Sequence, residues 1–182
     1  EVHSAMLNAC ERGNYKAVNI LLDRAPEESL SQGSIISARS GHIAVLRLLL
    51  STTTEPSATG NSLVQAATRG HAAMVREVAE MRRADGEAIR RALLASSSKG
   101  YAECVLALIP VADYEDRRLA LVAACSAGQY QAVVEALVDT LPGEMLDQPL
   151  AACAARGQLE LARCLLSSRN VSDLSPGAVV HA

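Results

Sequence analysis

Small and aliphatic residues alternate with short polar breaks along this chain, and the alternation follows one grammar. A glycine recurs at positions 13, 41, 70, 100, 128 and 157, at intervals of 28, 29, 30, 28 and 29 residues. Four and three positions before each glycine stand small residues: Ala9-Cys10, Ser37-Ala38, Ala66-Ala67, Ser96-Ser97, Ala124-Cys125 and Cys153-Ala154. Five positions after it come Val18, Leu46, Val75, Val105, Val133 and Ala162, and at eight and nine positions a further apolar pair such as Leu49-Leu50 or Leu165-Leu166. Self-similarity at a fixed period marks a repeat architecture.

Each unit reads as two helices. A first helix of about two turns carries small residues where it abuts its neighbour, and the glycine supplies the turn that ends it. A second helix carries apolar residues at helical spacing and packs on the first. Polar stretches such as "TTTEPSATGNS" (52–62) and "DTLPGEMLDQP" (139–149) read as separators between units. A unit this short cannot bury its apolar face alone, so units must stack. The expected units are 4–33, 34–61, 62–90, 91–118, 119–148 and 149–177, all in one domain spanning 1–182. "AVVHA" (178–182) reads as the start of a seventh helix. With that start, and with Glu1 rather than Met at the beginning, the chain is expected to be a piece of something longer.

The best-formed copies, "SARSGHIAVLRLLL" (37–50) and "AATRGHAAMVREV" (66–78), resemble the ankyrin repeat, whose consensus runs Ala-Ala-x-x-Gly-His-x-x-x-Val-x-x-Leu-Leu. The resemblance covers nearly the whole chain. Two departures matter. The ankyrin period is about 33 residues, and its opening Thr-Pro-Leu-His is missing here, with "QPLAACAARG" (148–157) the nearest relic. The missing residues belong to the β-turn finger. The resemblance therefore implies an all-α, ankyrin-type helical solenoid of about six stacked helix-turn-helix repeats with short or absent β-turn fingers. It also implies a concave face built from the first helices.

Composition narrows the picture. The chain is 49% hydrophobic but only 2% aromatic, with no Trp and no Phe, so Leu, Val and Ala must fill the core, which suits close-packed helical layers. A net charge of −3 gives no global basic field of the kind a nucleic-acid binder uses. No apolar run spans a membrane, and no secretory signal opens the chain. Five cysteines, widely spaced and without a C-x-x-C pair, suit free thiols in a reducing compartment, which places the chain in the cytoplasm.

Chemistry finds little support. His42 and His71 follow the repeat glycine, where ankyrin repeats commonly carry His for loop packing, and Asn14, Tyr101, Gln129 and Gln158 hold the same slot elsewhere. Cys10, Cys125 and Cys153 occupy small-residue slots, and Cys104 and Cys164 lie on the second-helix face. Each reads as a small buried hydrophobe rather than an activated nucleophile. "SSSK" (96–99) matches the Ser-x-x-Lys of β-lactamases but lacks its companion motifs. No catalytic, cofactor or metal site is expected.

A basic row remains. Arg12, Arg39, Arg69, Lys99 and Arg156 stand one or two positions before their glycines. In the ankyrin family this slot ends the first helix and faces the groove where partners bind. "IRRALL" (89–94) and "DRRLAL" (116–121) add Arg90, Arg91, Arg117 and Arg118 at the unit joints. Stacking would align these cations as a ladder able to hold an acidic segment by charge-assisted hydrogen bonds. Their bland reading is helix-end electrostatics. The function expected is a protein–protein interaction module, a monomer by itself, that binds a protein partner in its groove and neither nucleic acid nor membrane. The alternative is the targeting domain of a larger bacterial effector enzyme acting in the host cytosol, such as an arginine ADP-riboxanase of host caspases, with its catalytic domain outside these residues.

Overall fold

The computed structural model describes residues 1–53, 55–81, 83–128 and 131–168. Gln129 and the segment 178–182 lie outside them. Twelve α-helices alternate along the described chain: α1 (Val2–Glu11), α2 (Tyr15–Leu21), α3 (Glu27–Ser40), α4 (Ile43–Thr52), α5 (Pro56–Arg69), α6 (Ala72–Glu80), α7 (Gly86–Ser98), α8 (Ala102–Leu108), α9 (Tyr114–Ala127), α10 (Gln131–Val138), α11 (Asp147–Ala155) and α12 (Leu159–Ser168). No strand occurs among the described residues. The odd-numbered helices stack on one another in chain order to form one layer, and the even-numbered helices form the second.

The seam between the layers takes the residues the repeat grammar reserves for it. Ser37, Ala38, Ala66, Ala67, Ser96, Ser97, Ala124 and Cys125 are all buried, as are Leu46, Val75, Val105 and Val133. The largest fully buried side chains are Met6 and a set of leucines that includes Leu63, Leu93 and Leu121. Burying each such side chain contributes roughly 1.5–3 kcal/mol. Apolar contacts form one block around Met6, Cys10, Val18 and Leu49 and a longer one running from Ala38 to Leu165.

The first helices differ from the two turns the sequence predicts. In α3, α5 and α9 they run 14 residues, and in α7 they run 13. The stretch 52–62, read as a separator, supplies the opening turns of α5 from Pro56 onward. Asp85 and Asp113 cap α7 and α9, accepting hydrogen bonds from the backbone N–H groups of Ala88 and Asp116, both at 2.7 Å. Extra helix stands where a β-turn finger would be. Ser, Thr and Gly serve there as small residues rather than helix breakers: Thr59, Gly60 and Ser62 are buried, and a Cβ on Gly60 would lie 2.9 Å from the Ala88 methyl. Close helix packing, not turn formation, selects them.

Successive pairs are pinned by polar contacts across the seam. Arg47 of α4 grips both carboxylate oxygens of Glu77 on α6 at 2.6 Å, which holds that carboxyl below its ordinary range. Ser62 donates to Ser34 at 3.1 Å between buried faces of α5 and α3.

Candidate functional site

The turn after each first helix is built the same way. The glycines at 13, 41, 70, 100 and 157 have φ between 66° and 86°, in the left-handed region, and Gly128 is the exception at 159°. At Gly13, Gly41 and Gly70 the side chain that follows the next unit's glycine covers the turn. His42 Nε2 donates to the Glu11 carbonyl at 2.9 Å, and His71 Nε2 to the Arg39 carbonyl at 3.2 Å. A Cβ on Gly13 would fall 2.5 Å from the His42 ring, and one on Gly70 3.0 Å from the Tyr101 ring. Both histidines are therefore engaged in joining one pair to the next. Asn14 caps α2 by accepting from Ala17 N–H at 3.2 Å, and the Gln158 Oε1 is buried without a partner.

The thiols are free, and all but the half-buried Cys164 are buried. Burial, with Glu103 adding repulsion, pushes the Cys104 thiol up to about 11, and burial likewise raises Cys10, Cys125 and Cys164. Thiolate, the nucleophilic form, is scarce at Cys104 near neutral pH. Among the described residues no group of three or more His, Cys, Asp or Glu is placed to hold a metal. A shallow hollow of about 340 Å³ between α6 and α8, lined by Arg76, Glu80, Leu106 and Pro110, lies on the second-helix layer.

The predicted cations divide into two groups. Arg12, Arg39, Arg69, Lys99 and Arg156 sit at the C-terminal ends of α1, α3, α5, α7 and α11, all exposed. Among the described residues none of them forms an ion pair. Lys99 Nζ donates to the Thr68 carbonyl at 2.9 Å, which satisfies the end of the preceding first helix and leaves the ammonium two further donors. Arg90, Arg91, Arg117 and Arg118 lie inside α7 and α9 rather than at joints. Arg90 pairs at 2.5 Å with Asp116, whose side chain is 4% exposed. Arg117 donates twice to the Ala112 carbonyl and lies 5.1 Å from the Tyr114 ring centre. Arg118 is held by Glu115 and Gln148. These three carry internal contacts, whereas Arg91 is exposed and outside the ion pairs.

Sequence reasoning passed over a second feature of this layer. Six positions before the glycines stand Leu7, Ile35, Val64, Leu94 and Val122, each half-buried. Apart from Val64, they belong to neither apolar block nor pack against one. Ile35 stands four positions before Arg39, whereas Leu7, Val64 and Leu94 stand five before Arg12, Arg69 and Lys99, which turns them about 140° away from those cations around their helices. The signal lay in the columns of the repeat, but an apolar residue beside buried ones looks like core when only periodicity is read.

No protein-family model matches the chain, and no curated protein matches it in sequence. By structure it is similar to the human ASB11 ankyrin repeat domain, with a TM-score of 0.68 and 20% identity over 90% of this chain and 82% of that one. The fold is the ankyrin-repeat fold, with helices in place of its fingers.

Proposed function

We propose that the chain is a single domain of six repeats, each unit opening at the start of its first helix rather than at the bounds 33/34, 61/62, 90/91, 118/119 and 148/149, which fall inside helices, and that it binds a protein partner on its first-helix layer and is a monomer by itself. The observation that carries this reading is the exposed row Arg12, Arg39, Arg69, Lys99 and Arg156, which among the described residues forms no ion pair, on a stack whose helices are locked to one another. A rigid scaffold loses little conformational entropy on binding, so contacts made there translate into affinity. A like-charged row exposed on one layer favours an acidic or mixed polar segment. The ankyrin-repeat fold supports an interaction module in general terms. Five free thiols support a reducing compartment, the cytoplasm.

The test is a pull-down with the 182-residue chain beside a variant carrying R12A, R39A, R69A, K99A and R156A, with far-UV circular dichroism to establish that the variant stays helical. A partner caught by the parent and lost by the folded variant is the expected result. A partner held equally by both would put the binding face elsewhere and reduce the row to helix-end electrostatics.

A further inference from the structure

Two positions recur at the seams between neighbouring first helices: three before the glycine of one unit, and four before the glycine of the next. They hold Cys10 and Ser37, Ala38 and Ala66, Ala67 and Ser96, Ser97 and Ala124, and Cys125 and Cys153, all buried. Where both members carry a polar atom, the two touch. Cys10 shares a hydrogen bond with Ser37, and Cys125 shares one with Cys153. Only the seam between the fifth and sixth pairs sets sulfur against sulfur at these positions.

A disulfide draws two sulfurs to about 2.05 Å and needs Cβ atoms about 3.5–4.5 Å apart. Thiols already in hydrogen-bond contact on packed helices have little further to move, and α9 and α11 are packed neighbours. The seam between α3 and α5 shows the same close approach, with the Ser62 and Ser34 hydroxyls 3.1 Å apart. Cys164 is the competing third thiol. It is half-buried on α12 and acts on the pair through charge rather than a hydrogen bond, and burial with Glu135 and Asp139 disfavours its thiolate.

The closed stack shelters the pair. Burial and the neighbouring Cys153 hold the Cys125 thiol well above its ordinary range, so thiolate is scarce there. The sixth pair, however, packs on one side only among the described residues, and Ala154, next to Cys153, is exposed. A terminal pair opens more readily than an internal one, and parting α11 from α9 brings both thiols into water.

We propose that Cys125 and Cys153 form a redox modification site: a hydroperoxide converts them into a disulfide that staples the sixth helix pair onto the fifth. In the open state the Cys153 thiolate attacks one peroxide oxygen. The O–O bond breaks, the other oxygen leaves with a proton as water or an alcohol, and Cys153 becomes a sulfenic acid. The Cys125 thiolate then attacks that sulfur. The S–S bond forms, the S–O bond breaks, and hydroxide leaves with the proton Cys125 released, as water. The two thiols lose two electrons and the peroxide gains them. A dithiol reductant reverses the bond by exchange, so the site is reduced at rest in a reducing compartment.

The experiment treats the 182-residue chain with hydrogen peroxide under native conditions, alkylates it and digests it with trypsin and Glu-C. Trypsin alone leaves both cysteines in residues 119–156, and cleavage after Glu135 and Glu144 separates them. The expected product is a single chain about 2 Da lighter, with a cross-linked peptide pair carrying Cys125 and Cys153, restored by dithiothreitol. Amide exchange in α11 should slow about tenfold or more in the oxidised chain. C125A and C153A should stay folded, because Ala38 and Ala67 hold the first position elsewhere and Ala9, Ala66 and Ala124 the second. Neither should form the bond, and C125A should keep a sulfenic acid on Cys153 that dimedone traps. C164A should form the bond as the parent does. A disulfide to Cys164, a bond between two chains, or an unchanged mass would each overturn the proposal. So would a Cys125–Cys153 bond that leaves exchange in α11 unaltered, since nothing would then be stapled.

Discussion

His42, seated over the turn at Gly13, illustrates how single residues set the register of this stack. Its ring occupies the space a Cβ on Gly13 would need, and its Nε2 holds the Glu11 carbonyl. The slot over Gly157 differs, because among the described residues no atom lies within 4 Å of the corresponding Cβ position. Both glycines have φ near +67°, at 68° and 66°. The two positions therefore separate backbone strain from steric exclusion. Gly157→Ala is expected to cost about 1 kcal/mol, the strain of an L residue in the left-handed region. Gly13→Ala is expected to cost about 2–4 kcal/mol, since the His42 ring must also move and give up its hydrogen bond. Urea unfolding of both variants checks this, and equal losses would mean that the ring is not fixed over the turn. The slot for such a ring was legible in the sequence, because a glycine followed by His or Tyr recurs at constant spacing. Which groups the ring touches was not, since they lie in the preceding unit.

At the scale of elements, the seams between first helices explain a reading that the sequence alone got wrong. The stretch 52–62 is rich in Thr, Ser, Gly and Pro, which in isolation signals a loop. In the stack Pro56 opens a helix, where its missing N–H has no cost, and Thr59, Gly60 and Ser62 are buried against neighbouring helices. Buried hydroxyls must then find partners. Ser34, Ser37 and Ser96 bond to carbonyls of their own helices, but Ser97 Oγ and Thr59 Oγ1 are buried without one. At Ser97's repeat position other units carry Ala38, Ala67 and Cys125, so the seam accepts a methyl there. Ser97→Ala should accordingly raise stability by about 0.5–1 kcal/mol, because it removes an unsatisfied polar group without opening a cavity. Thermal unfolding measures it, and a loss of stability would mean that the hydroxyl is satisfied in solution.

The whole molecule is a chain of nearest-neighbour interfaces, so protection should vary along it. The sixth pair is packed on one side only among the described residues. Ala154 is exposed where its counterparts from Cys10 to Cys125 are buried, and Leu166 is 51% exposed where Leu50 and Leu137 are buried. Amide hydrogen exchange should therefore be faster in α11 and α12 than in α5 and α7, and uniform protection along the stack would contradict a nearest-neighbour account. The sequence by itself determined the repeat, its period, the helix-turn-helix unit and the small residues of the seams, because each unit meets the same local demands and records them at the same positions. It also placed five cations at equivalent helix ends. Tertiary structure alone decided that the first helices extend through the expected separators, and that Arg90, Arg117 and Arg118 hold partners while, among the described residues, Arg12, Arg39, Arg69 and Arg156 form no ion pair. Those outcomes depend on how closely neighbouring helices approach and on what each side chain meets across a seam, and both are set between units some 30 residues apart rather than within one.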